Sequence, residues 1–103
     1  MKIIAVDFDG TLSFEDYPKL GLPNLTLFEY LIKQRNLGNR VILCTCRERK
    51  ELQDAINYCK KYGLEFDAVN ENVKEITFSC RKVCADKYID NLAVRENEFM
   101  WGD

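Results

Sequence analysis

The chain opens with a run, Ile3-Ile4-Ala5-Val6, that is apolar at every position. It ends that run on two aspartates, Asp7 and Asp9, with Phe8 between them and Gly10 and Thr11 behind. A strand apolar on both faces must be covered on both faces, as a central strand of a parallel sheet is. Side-chain alternation puts Phe8 on one face and both acids on the other. Two neighbouring carboxylates at the end of such a strand repel each other unless a cation balances them. The opening therefore asks for an α/β sheet, and for positive charge at the carboxyl end of its first strand.

The rest of the chain supplies the sheet. Arg40–Thr45 (RVILCT) reads as a second buried strand, residues 66–70 (FDAVN) as a short third and residues 83–90 (VCADKYID) as a fourth. Between the first two, Pro18, Gly21 and Pro23 make residues 12–23 a loop. Asn24 then caps a helix with Leu25, Phe28, Leu31 and Ile32 at helical spacing, closed by Gly38. From Glu48 to Tyr62 a second helix carries Leu52, Ala55, Ile56 and Cys59 on one face, and Gly63 ends it. The stretch 70–81 is polar and ambiguous, with room for a helical turn from Val73 to Phe78. The last residues, from Asn91 on, read as a short edge element with Phe99 and Trp101 packing back. Strands alternating with helices on right-handed crossovers predict helices on both faces. The expected fold is α/β: one domain over residues 1–103, three-layer α/β/α and Rossmann-like, with a mostly parallel central sheet.

Composition narrows the function. The net charge of −2 provides no bulk basic field, so charge does not support nucleic acid as a partner. No apolar stretch is long enough to span a bilayer, and no membrane partner is expected. There is no histidine, which removes Ser-His-Asp and Cys-His chemistry. The five cysteines, Cys44, Cys46, Cys59, Cys80 and Cys84, lack the usual zinc-knuckle spacing and read as reduced thiols, mostly small buried apolar side chains. Their odd number and the want of a cleavable leader point to a cytoplasmic protein.

In a parallel sheet, Asp7, Asp9, Thr45, Asp90 and Asn91 all come to the carboxyl edge, where such sheets bind ligands. A helix starting just after Thr45 would aim its positive end at the same place. The motif DFDGTL resembles the first signature of the haloacid-dehalogenase superfamily of phosphohydrolases. VILCT resembles the second, Lys82 the third-motif lysine, and YIDN the final acidic motif. The segment from Phe66 to Ala93 further resembles small capless members from bacteria and phages.

The resemblance implies a Mg²⁺-dependent phosphatase working through an aspartyl-phosphate. Asp7 would be the nucleophile and Asp9 the acid and then the base. Mg²⁺ would be held by Asp7, the Asp9 backbone carbonyl and Asp90, with Asn91 standing where many members have a second acid. Thr45 and the N–H groups near Phe8 and Cys46 would bind phosphoryl oxygens, with Gly10 and Thr11 completing the substrate loop. Lys82 would screen charge, and Arg47 would either grip substrate or pair with Glu48 or Glu51 in solvent. Asp86 could stand in for Asn91, but four extended residues span roughly 13 Å and put it at the far end of the strand from Asp90.

Only 34 residues lie between Gly10 and Thr45 and 36 between Thr45 and Lys82, too few for a cap domain. The site should then be open to a phosphorylated small molecule or polymer. The rival readings are a degenerate member that binds phosphate or a partner without catalysis, and a receiver-like module. Receiver domains, however, carry their phosphorylated aspartate after the third strand.

Overall fold

The computed structural model describes residues 1–15, 17–74 and 84–90, and the backbone of 94–96. Strand β1 (Ile3–Asp7) is central. Helix α1 (Leu25–Asn36), β2 (Arg40–Cys44), α2 (Arg49–Lys61), β3 (Ala68–Val69), β4 (Lys87–Ile89) and β5 (Val94–Glu96) follow. The sheet order is β3-β2-β1-β4-β5. The first four strands are parallel, and β5 runs antiparallel along β4 as an edge strand. This is a Rossmann-like α/β fold around a mostly parallel sheet, as the apolar first strand requires.

Alternation along β1 divides the core in two. Ile4, Val6 and Phe8 face one way and pack with Val41, Leu43, Phe28, Leu31, Ala55 and Cys59. Ile3 and Ala5 face the other way, against Ile42, Val73 and Ala85. Both described helices therefore lie on the same face. The strand order explains why these two share it. From β1 through β2 to β3 the chain steps in one direction, and right-handed crossovers taken in one direction stay on one side. The return from β3 to β4 reverses the step. It brings Val73 and Ala85 to the opposite face as the third layer.

The helix signals hold in kind. The Asn24 side chain accepts from Leu27 N, and Gly38 and Gly63 sit at φ 91° and 90°, the left-handed geometry that ends a helix without strain. Leu25, expected on the buried face of α1, is 61% exposed; Leu27 takes its place beside Phe28 and Leu31. Helix α2 buries Ala55 and Cys59, with Leu52 and Ile56 half-buried against the same core. Burial pushes the Cys59 thiol up to about 12, so this cysteine acts as a small apolar side chain.

Two strands are shorter than expected. β3 is bounded by Asn70, whose φ of 56° turns the chain out of the ladder. Before β4, Cys84 N donates to Asn72 Oδ1 and Ala85 N to Tyr88 Oη, so side chains take the place of a neighbouring strand. The proposed turn from Val73 to Phe78 lies mostly, and the pairings of Phe99 and Trp101 lie wholly, outside the described residues. Among the described residues no helix is long and apolar enough to cross a membrane.

Candidate functional site

The acids of the chain sort to the two ends of the sheet. At the amino end they serve the backbone. Asp86 Oδ2 accepts from Ile3 N at 2.8 Å, while Asp86 N donates to Ile3 O at 2.7 Å. Asp67 does the same for β2: Oδ2 accepts from Val41 N at 2.8 Å and Asp67 N donates to Val41 O. Its carboxylate also takes Nε and Nη2 of Arg35, at 3.2 and 3.1 Å. Asp86 is thus at the start of the strand, away from Asp7, as its distance from Asp90 predicts.

At the carboxyl end the picture is different. The order β2-β1-β4 puts the reversal of strand direction in the winding between β1 and β4, where open α/β sheets form their binding crevice. A cleft of ≈ 330 Å³ opens there, and its walls include Asp7, Cys44, Tyr88 and Asp90. A larger cavity of ≈ 780 Å³ lies between Arg35, Asp67 and Lys74, beside the amino-end acids that hold the backbone. We assign the site to the smaller cleft because Asp7 and Asp90 meet there, at the reversal of strand order.

Burial is the main cause that raises the Asp7 carboxyl above its usual 3.8, and the charges of Asp9 and Asp90 add to it. The N–H of Phe8 and the hydroxyl of Thr11, 3.4 Å from Oδ2, oppose the rise. Phe8 itself is fully buried, edge-on to Tyr58, so its contribution to the site is its backbone. After Asp9 the chain turns back at Gly10, φ 76°. Thr11, Leu12 and Ser13 N–H all donate to Phe8 O. Only glycine enters that conformation without cost.

Asp9 does not follow Asp7 into the cleft. The expectation that alternation turns both acids one way fails because the strand ends at Asp7 and the turn begins. Instead, Asp9 meets Arg47. Nη2 donates to Oδ1 at 2.7 Å, and Nε donates to Oδ2 at 2.9 Å and Oδ1 at 3.2 Å. Arg47 also donates to Lys19 O at 2.9 Å and Glu51 O at 3.2 Å. The guanidinium carbon lies 4.9 Å from the Phe8 ring centroid and 5.2 Å from that of Tyr17. Arg47 is 2% exposed, and its hydrogen bonds to Asp9 push its proton affinity higher still. It pairs with Asp9 inside the protein and not with a glutamate carboxylate in solvent. Four of its five N–H groups are engaged inside the protein.

Thr45 follows β2. Its N–H donates to Asn70 Oδ1 at 2.8 Å and its hydroxyl oxygen accepts from Arg47 N at 3.1 Å, which leaves the hydroxyl proton to donate. Cys46 is exposed on the same turn. Helix α2 starts at Arg49, later than expected, after a four-residue connection. Of the remaining candidates, Lys82 and Asn91 lie outside the described residues. Of the aromatic residues near the loop, Phe14 is exposed, Tyr17 covers Arg47 and Tyr30 Oη is 3.2 Å from the buried Lys87 Nζ.

Among the described residues no three Asp, Glu or Cys side chains converge as a metal cage. The donor set fits a hard ion that needs fewer: Mg²⁺ takes one or two carboxylates and fills its shell with water and phosphate oxygens. Asp7 and Asp90 line one cleft, and their carboxylates are negative charge that a cation would offset.

No family model matches the chain, and no curated protein matches it. Among solved structures, the chain is similar to a conserved protein coded by a locus of Bacteroides thetaiotaomicron. The two share 40% identity at a TM-score of 0.76, over 86% of this chain and 74% of the other. The chain belongs to the family of that protein. Membership fixes the fold of this family on the present chain. What the family member here does has to be argued from the cleft.

Proposed function

We propose that this family member is a phosphohydrolase of the haloacid-dehalogenase type, cleaving phosphomonoesters with Mg²⁺ through an aspartyl-phosphate. The observation that carries the reading is the meeting of Asp7 and Asp90 in one cleft at the reversal of strand order, with Asp9 two residues beyond. A carboxylate at the end of the first strand has the place the resemblance gives to the nucleophile. The winding of the chain, not its local sequence, brings the last acidic motif beside it.

In this reading a carboxylate oxygen of Asp7 forms a bond to phosphorus as the bond to the leaving oxygen breaks. Asp9 gives its proton to that oxygen. Water then attacks the phosphorus of the aspartyl-phosphate, loses a proton to Asp9, and frees Asp7 and inorganic phosphate. Thr45 donates its hydroxyl proton to a phosphoryl oxygen. Asp7, Asp90 and the Asp9 carbonyl hold Mg²⁺, which supplies positive charge against the carboxylates and the phosphate. Lys82 and Asn91 enter this reading through the resemblance alone.

The test is phosphate release from p-nitrophenyl phosphate with and without Mg²⁺, by wild type and Asp7→Asn. The expected result is Mg²⁺-dependent turnover in the wild type and none above background in the variant. Equal rates in the two proteins remove Asp7 as nucleophile.

A further inference from the structure

Arg47 is the most heavily engaged cation in the described structure, and the reaction above assigns it no part. Four of its five N–H groups reach Asp9, Lys19 O and Glu51 O, and aromatic rings lie over its guanidinium carbon. A buried guanidinium is costly to desolvate, so one this enclosed is kept where its geometry serves something. The grip on Asp9 is two-pronged. Nη2–H reaches Oδ1 at 2.7 Å, and the single Nε–H is shared between Oδ2 at 2.9 Å and Oδ1 at 3.2 Å.

We propose that Arg47 is the positioning residue for Asp9. It holds both carboxylate oxygens and so fixes the plane in which Asp9 gives a proton to the leaving group and takes one back from water. This rests on the phosphohydrolase reading. Asp9 follows a glycine-hinged turn and sits near the charge of Asp7, which repels it. Without a fixed partner it would rotate toward solvent. Arg47 removes that freedom. Lys19 O and the Tyr17 ring belong to the loop after Asp9, and Glu51 O to the first turn of α2, so the guanidinium is tied to both. Lysine cannot replace it, because a point charge lacks the planar fork that fixes the carboxyl plane.

The consequence is selective. An alkoxide leaving group must be protonated as it departs, whereas p-nitrophenolate leaves without help. Misplacing an acid by an ångström costs up to about a hundredfold in a step that needs it. The experiment compares p-nitrophenyl phosphate with an alkyl phosphomonoester, in Mg²⁺, for wild type, Arg47→Lys, Arg47→Gln, Asp9→Asn and the Asp9→Asn/Arg47→Lys pair.

The expected result for both Arg47 variants is a fall of about tenfold to a hundredfold in kcat on the alkyl ester, against less than about threefold on the aryl ester, with KM little changed. Asp9→Asn should show the same skew, and adding Arg47→Lys to it should cost nothing more. The ratio of the two substrates within one preparation is independent of how much of a variant has folded.

Equal losses on both esters, or a rise in KM alone, overturn the positioning role while leaving the phosphohydrolase standing. A wild type that hydrolyses neither ester overturns both.

Discussion

Charging Asp7 costs the folded chain free energy, because the carboxylate is partly desolvated and lies near Asp9 and Asp90. Its folded-state value is raised above 3.8. A raised group contributes stability that is fully present below its unfolded value and is lost as pH rises through the folded one. Asp7→Asn, which cannot ionise, should therefore melt higher than wild type at pH 7 in chelator-containing buffer. The gap should close as pH falls below 3.8. Thermal unfolding across that range checks it, and a variant that melts lower at pH 7 refutes it. The cost at Asp7 is legible in the sequence, since two acids at the end of an apolar strand announce it. The role of Arg47 is not. Its partner lies 38 residues away, and nothing local distinguishes an arginine that pairs with Asp9 from one that faces solvent.

At the scale of elements, the sequence shows which segments are strands and helices but not what starts them. Asp67 and Asp86 precede β3 and β4, and each ties down the first residues of a neighbouring strand. As acids in a linear sequence they look like Asp90, and Asp86 even competes with it for the metal. Only pairing separates them: Asp67 and Asp86 each accept the N–H of a neighbouring strand's first residues, while Asp7 and Asp90 line the cleft. Asp67→Ala should orphan the N–H of the buried Val41 and release Arg35, costing about 1–3 kcal/mol of stability. Asp67→Asn keeps an oxygen for Val41 and loses only a partly exposed ion pair, so it should cost about 1 kcal/mol or less. Denaturant unfolding of both variants is the measurement. Equal losses would mean that the ion pair, not the backbone acceptor, holds the strand.

The whole molecule decides what no segment contains. Successive crossovers from β1 to β3 keep both described helices on one face, and the reversal on the way to β4 opens the cleft. The sequence order of the elements is readable residue by residue, whereas the spatial order of the strands is not. Hence the sequence reading can bring Asp7 and Asp90 to one edge, but it does not show that α1 and α2 share one face. The same reversal places Asp90 across from Asp7, so metal affinity should depend on a residue that the chain delivers from its far end. Asp90→Ala should shift the Mg²⁺ activation curve for phosphate release at least about tenfold upward, the loss usual even for groups that only support a ligand. Asp90→Asn, keeping one oxygen donor, should shift it less. Asp86→Ala is the informative companion. It removes an acid four residues earlier that serves Ile3 N, so it should lower the melting temperature and leave the Mg²⁺ curve where it was. An unmoved curve in Asp90→Ala, or a shifted one in Asp86→Ala, would place the metal at the wrong end of the strand.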